Sequence, residues 1–255
     1  MHALHRFLLF HLLTCLGQHA HGSDIIDGEK AAEGSMRYMV SVQNSNNRHV
    51  CGGFLIREDF VVTAAHCDAP SLTHVVVGTH NLKNANGKKL SIKEKHKHNS
   101  YTTVGYGYDI MLLKLSNKAK LDNSITKIPL PSPGENIKDG TQCKVAGWGY
   151  TRTGGAVVDE LRVVDVSIIK QQDCGTAWDG YLPANVICAG GSGTTKGFCQ
   201  GDSGGPLVCS GKAVGVVSFN QRGNCRYPHV PNVYTDTSKY ITWINGIINR
   251  PENKP

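Results

Sequence analysis

Cys199-Gln200-Gly201-Asp202-Ser203-Gly204-Gly205-Pro206 is the stretch around which the chain is organised. It sets one hydroxyl among glycines, an acid and a proline. Ser203 alone is a weak nucleophile and needs a base to take its proton during attack. The flanking glycines let the backbone turn sharply and approach a ligand closely. They also let N–H groups point at a developing oxyanion, each such donor being worth roughly 3 kcal/mol of barrier. Asp202 is too near Ser203 in sequence to hold the base, so it requires a cation of its own. Two other readings fit the same residues. Gly, Asp, Ser and Pro are ordinary turn formers, and Gly201-Asp202-Ser203-Gly204-Gly205 satisfies G-x-S-x-G, the nucleophile elbow. In an elbow the acid and the histidine follow the serine. Here the best candidates for both precede it.

The rest of the chain suits a secreted β protein. At 255 residues, 40% hydrophobic and 18% charged, it can form one domain of about 230 residues or two smaller ones. Abundant glycine (29) and few aromatics favour turn-rich strands over long helices. The formal net charge is +7, and residues 1–24 contribute one base (Arg6) and one acid (Asp24). The excess therefore belongs to the mature chain and points to an acidic partner, but no nucleic-acid motif accompanies it. Of nine cysteines, Cys15 lies in the leader, and the remaining eight show no CxxC spacing. That pattern reads as a disulfide framework rather than a metal site, with the pairing left open by arithmetic.

Residues 1–22 have a mildly basic start, an apolar run from Phe7 to Leu16 and a small-residue end, Ala20-His21-Gly22. They read as a signal peptide, with a run too short to span a bilayer and no later stretch long enough. Cleavage after Gly22 leaves the dipeptide Ser23-Asp24 before Ile25-Ile26-Asp27-Gly28. An acid at its end excludes an activator that cuts after Lys or Arg, whereas a dipeptide-removing exopeptidase fits. The new α-ammonium of Ile25 would be the missing cation for Asp202. A buried ion pair adds little net stability, so its use is as a switch.

Short strands punctuated by turns run from Met36 to about Leu115, the clearest being Tyr38–Val42, Gly53–Ile56, Phe60–Thr63 and His74–Val77. Residues 117–140, with three prolines, read as a linker. Strands resume at Lys144–Ala146, Arg162–Val166 and Ala213–Val217. Only Ser238 to Ile248 has helical spacing, with Tyr240, Ile241, Ile244 and Ile248 on one side. Thr63-Ala64-Ala65-His66-Cys67 offers a base, and Tyr108-Asp109-Ile110-Met111-Leu112-Leu113 offers an acid heading an apolar strand. A buried acid can fix the tautomer of a histidine and stabilise its imidazolium.

Taken in order, TAAHC, DIMLLKL and GDSGGP, with IIDG, Gly147-Trp148-Gly149 and Ile187-Cys188-Ala189-Gly190, resemble the chymotrypsin-fold serine proteases from Ile25 to about Ile248. The resemblance implies an all-β fold: two six-stranded antiparallel barrels, about 36–116 and 141–236, with the active site between them and a helix at about 238–248. It implies a peptidase domain over 25–255, in which Ser203 is the nucleophile, His66 the base and Asp109 its orienting acid. It further implies that the N–H groups of Gly201 and Ser203 form the oxyanion hole and that Ile25 pairs with Asp202. The implied disulfides are Cys51–Cys67, Cys143–Cys209, Cys174–Cys188 and Cys199–Cys225. The acidic dipeptide and Tyr38–Val42 resemble the granule-stored proteases: granzymes, mast-cell proteases and chymases. Asp27 departs from that pattern, which has Gly, and the Cys199/Cys225 pair is one that many chymase-like members lack. The run Thr79–Lys89, where trypsins hold calcium, contains no acid, so neither a metal nor any cofactor is expected.

The resemblance also assigns the specificity pocket. Gly197 stands at its base in place of an acid, so cleavage after Lys or Arg is not expected. Asn220 and Asn232 replace glycines, Phe198 adds bulk to the wall, and Ser218-Phe219-Asn220 pairs with substrate backbone. Small or medium side chains should fit. Lys88, Lys89, Lys93, Lys95, His96, Lys97 and His98 form a basic run with Glu94 as its only acid. They read as a solvated loop and strand edge, or as a site for sulfated glycosaminoglycan. The expected partners are thus protein or peptide substrates, glycosaminoglycan and serpin-type inhibitors, with the protease a monomer. The competing class is a protease-fold binding protein, whose relatives characteristically lack a catalytic residue that this chain retains.

Overall fold

The computed structural model describes residues 25–250, apart from 85, 222, 223 and 227. The expected signal peptide (residues 1–22) and activation dipeptide (Ser23-Asp24) lie outside the described residues. Among the described residues thirteen strands form two sheets: β1 (Glu29–Lys30), β2 (Met39–Asn44), β3 (His49–Arg57), β4 (Phe60–Thr63), β5 (Leu72–Val77), β6 (Lys88–Lys97), β7 (Met111–Leu115), β8 (Gln142–Gly147), β9 (Arg162–Ile169), β10 (Val186–Ala189), β11 (Pro206–Cys209), β12 (Lys212–Phe219) and β13 (Asn232–Asp236). β2-β3-β4-β7-β6-β5 close into one antiparallel barrel. β8, β9, β10, β13, β12 and β11 close the other, with β1 added beside β9. Residues 116–141 carry no strand.

Period-two alternation explains both cores. Along β2, Val40 and Val42 enter the first barrel's core while Ser41 and Gln43 point outward and are still buried. An outward face that is also buried marks where the barrel meets the rest of the molecule. In the second barrel Val145, Val164, Val166, Leu207 and Val217 pack with Ile25, so the first described residue is part of that core.

Two helices add to the barrels. α1 (Gln171–Ala177) was not foreseen: it is seven residues long and buries only Cys174, too little periodicity to read. α2 (Ile241–Ile248) follows a separate 3₁₀ turn at Thr237–Lys239. It packs on the first barrel with Tyr240, Ile241, Ile244 and Ile247. Ile248, expected on that side, is partly buried and packs against the same core, and the helix starts three residues later than the spacing suggested. Among the described residues, no helix is long and apolar enough to cross a membrane.

The basic run forms β6, which pairs with β5 on one side and β7 on the other. It is therefore an interior barrel strand and not a sheet edge. Folding also brings it acids that the run itself lacks. Lys88 reaches Asp122 at 2.6 Å, Lys95 and Lys97 share Asp68 at 3.2 and 2.9 Å, and Lys89 donates to Asn47 Oδ1.

Candidate active site

Asp109, His66 and the Ser203 loop meet between the barrels. Asp109 lies two residues before the start of β7, and His66 sits in the 3₁₀ turn Ala65–Cys67 that follows β4. β4 and β7 are paired neighbours, Thr63 opposite Met111, so the two residues emerge from the same barrel end. His66 Nδ1 lies 2.7 Å from Asp109 Oδ2, and the His66 backbone N–H donates to Oδ1 at 2.9 Å. Asp109 is 1% exposed. Burial pushes its carboxyl up, but the bonds from His66 and Ser218 outweigh this and hold it below the usual carboxylate range. The Ser218 hydroxyl donates to Asp109 Oδ2 at 2.5 Å. It can do so because the register of β12 against β13 shifts between Val217 and Phe219, a bulge that re-aims the side chain between them.

The Ser203 loop is held on both sides. Gly52 N–H donates to the Ser203 carbonyl at 2.8 Å, and Gly204 N–H to Val217 O at 2.9 Å. Gly204 has φ +82°, and a Cβ there would stand 2.1 Å from Thr63 Oγ1, so only glycine lets the loop touch the first barrel. Ser203 itself is partly exposed. The disulfide Cys51–Cys67 clamps β3 to the His66 turn. The structure also joins Cys143–Cys209, Cys174–Cys188 and Cys199–Cys225. The one group of three metal-type side chains among the described residues is Cys51, His66 and Cys67, whose two sulfurs are consumed by that bridge.

Asp202 is fully buried and accepts from Gly149 N–H at 2.8 Å and Cys199 N–H at 2.9 Å. Burial raises its carboxyl to about 7 against those two donors. Gly147 and Gly149 make room for it: a Cβ on either would lie within 2.6 Å of the carboxyl group. Ile25 and Ile26 are both buried nearby, Ile26 bridging to Gly197 and packing with Cys199. Asp27 adopts φ +57°, a left-handed turn that favours glycine. Its carboxylate accepts from Thr195 and pairs with Arg226 at 3.0 Å.

Of the residues assigned to the pocket, Gly197 is buried under Asn232. Asn220 Nδ2 donates to Phe198 O at 3.1 Å. Phe198 is 3% exposed, its ring edge-on to Tyr234 at 5.2 Å, within the second barrel's core. It fills space rather than lining an open wall. Ser218 and Phe219 end β12, Phe219 packed against Trp178. His49, which no sequence motif marks, donates from Nε2 to Gly201 O at 2.8 Å. A lone histidine two residues before Cys51 gives no local sign of that contact, which lies 152 positions away.

The sequence profile described as Trypsin matches residues 25–244. The chain belongs to the trypsin family. Two trypsin-family relatives are alike over nearly their whole length. The chain is 36% identical to duodenase-1 of Bos taurus over 247 residues, covering 95% of this chain and 96% of the relative. It is 35% identical to granzyme B(G,H) of Mus musculus over 244 residues, covering 94% and 97%. In three dimensions it resembles neuropsin, a serine protease expressed in the limbic system of mouse brain, with a TM-score of 0.81 and 31% identity over 88% of this chain and 99% of that one. As a trypsin-family member the protein is a serine endopeptidase.

Proposed function

We propose that this trypsin-family protease cleaves peptide bonds through an acyl-enzyme on Ser203, with His66 as general base and then acid and Asp109 as its orienting carboxylate. The observation that carries the reading is the Asp109 carboxylate's double hold on His66, through ring and backbone. With Nδ1–H donating to Asp109, His66 Nε2 is left basic and free to take the Ser203 proton. Asp109 stays ionised and stabilises the imidazolium that forms. The N–H groups of Gly201 and Ser203 receive the oxyanion. Collapse of the tetrahedral species returns the His66 proton to the leaving amine, and water repeats the sequence to release the acid.

Activation consists of losing Ser23-Asp24. Asp202, raised to about 7 by burial with only two N–H donors, gains most from a nearby cation, and the new ammonium of Ile25 is the group placed by sequence to supply it. The filled base at Gly197 and the side chains of Asn220 and Asn232 restrict the pocket to small or medium residues. Four disulfides suit an oxidising compartment, in keeping with a secreted or granule-stored enzyme. Cleavage-site profiling of the processed chain on a peptide library tests the substrate side. Preference for Ala, Val, Leu, Met or Thr before the scissile bond supports the reading, and efficient cleavage after Arg or Lys overturns it.

A further inference from the structure

A line of hydrogen bonds crosses the buried outer face of the first barrel and ends on the Ser203 loop. Gln43 of β2 lies opposite His49 of β3 and His74 of β5 in the sheet register, and Ser41 shares its face two residues earlier. His49 Nε2 is 2.8 Å from Gly201 O, and His49 Nδ1 is 2.8 Å from Ser41 Oγ. Gln43 Nε2 is 3.1 Å from Ser41 Oγ, and Gln43 Oε1 is 3.1 Å from His74 Nε2. Thr73 Oγ1, at the exposed end, is 2.9 Å from His74 Nδ1.

One acceptor fixes the sense of every bond. The Gly201 carbonyl can only accept, so His49 carries its proton on Nε2. Neutral His49 then accepts at Nδ1, which makes the Ser41 hydroxyl the donor. Ser41 Oγ in turn accepts from the Gln43 amide, leaving Gln43 Oε1 to accept from His74 Nε2–H. His74 Nδ1 finally accepts from Thr73. Burial keeps His49 neutral, pulling it down to about 4, and both burial and Lys89 lower His74. All five bonds donate toward Gly201, the arrangement in which each polarises the next.

We propose that this chain is a relay that aims the Gly201 peptide, with Gln43 and His74 as remote positioning residues for the oxyanion donors. The proposal rests on the reading that Gly201 and Ser203 N–H groups form the oxyanion hole. The pinned carbonyl belongs to the peptide between those two donors, so its tilt sets how well both point. Gln43 is 5% exposed and His74 2%; cutting the line at either leaves a neighbour to seek a new partner. Ser41 is then released from its single orientation, and His49 loses the reason to present Nε2–H to Gly201.

The test uses the processed full chain, a peptide amide substrate and a peptide boronate that mimics the tetrahedral species. Gln43→Met and His74→Leu should each lower kcat and boronate affinity by about five- to tenfold, part of the loss from deleting an oxyanion donor, with KM unchanged. His74→Gln, which retains an N–H donor, should restore both. Gln43→Met combined with His49→Ala should be no slower than His49→Ala alone, because one line is cut twice. Wild-type kcat in Gln43→Met, additive losses in the double variant, or loss confined to Tm or KM overturns the relay. Ser203→Ala serves as the separate control: full activity there overturns the catalytic reading and the relay with it, whereas an inactive Ser203→Ala beside an unimpaired Gln43→Met overturns the relay alone.

Discussion

The Asn232 carboxamide lies directly against Gly197, so that a Cβ built on Gly197 would stand 2.2 Å from Asn232 Nδ2. The base of the assigned pocket is therefore occupied by protein. Gly197→Asp alone should not create cleavage after Arg, since the new carboxylate has no room. Gly197→Asp with Asn232→Gly should raise kcat/KM on an Arg amide by at least about tenfold over either single change, the scale at which one pocket contact discriminates. Equal activity of Gly197→Asp and the double variant would show that Asn232 does not block the base.

Asp109→Asn should lower kcat by about four orders of magnitude while leaving the fold intact, because an amide cannot hold His66 in the required tautomer. Ser218→Ala removes only one of the three bonds to that carboxyl and should cost far less. Steady-state rates with a peptide amide separate the two. A similar loss in both variants would place the critical function in Ser218.

Asp59 lends stability that depends on pH. Burial pushes its carboxyl up, but Arg57 and Lys114 outweigh this and hold it at about 2. An acid depressed in the fold contributes stability above its unfolded value of about 4, lost as pH falls through the folded value. The Tm gap between wild type and Asp59→Asn should thus be full at pH 5 to 7 and close between about pH 4 and 2. A gap independent of pH would remove the ion pairs from the account.

Asp202 predicts the opposite sign. Its carboxyl is raised to about 7 by burial, so ionising it costs folding free energy once pH exceeds the unfolded value of about 4. The chain retaining Ser23-Asp24 should lose Tm relative to the processed chain as pH rises from about 4 to 7, because only the processed chain has the Ile25 ammonium. Parallel Tm curves for the two forms would mean that the amine does not reach Asp202.

Asp68 binds both Lys95 and Lys97, which reduces what β6 can offer a sulfated glycosaminoglycan. Asp68→Asn should raise the salt concentration needed to elute the protein from heparin, by releasing two lysines from one carboxylate. Lys93→Ala, whose contact to Glu94 spans 4.0 Å, should lower it. Elution unchanged in both variants would take β6 out of any such binding.

The barrels were legible where one physical signal governed a stretch. Phe60–Thr63 is β4 to the residue, and the apolar cores of β2, β5, β9 and β12 stood out because β-branched residues fill them. β6 was obscured because its outward residues are lysines whose partners, Asp68 and Asp122, come from distant turns. The seven-residue α1 lacked an apolar stripe altogether. At the site, His66, Asp109 and Ser203 could be named from short motifs, each local to its own strand or turn. The bond from His49 to Gly201 and the bulge that aims Ser218 could not. Each depends on register between segments far apart in the chain, which composition and spacing do not encode.

Stoichiometric labelling with a fluorophosphonate, before and after removal of Ser23-Asp24, reports whether Ser203 is a nucleophile that activation switches on. Near-unit incorporation on Ser203 is expected in the processed chain, little in the uncut chain and none in Ser203→Ala. Correctly processed protein, with Ile25 verified as its first residue, that remains unlabelled would contradict it.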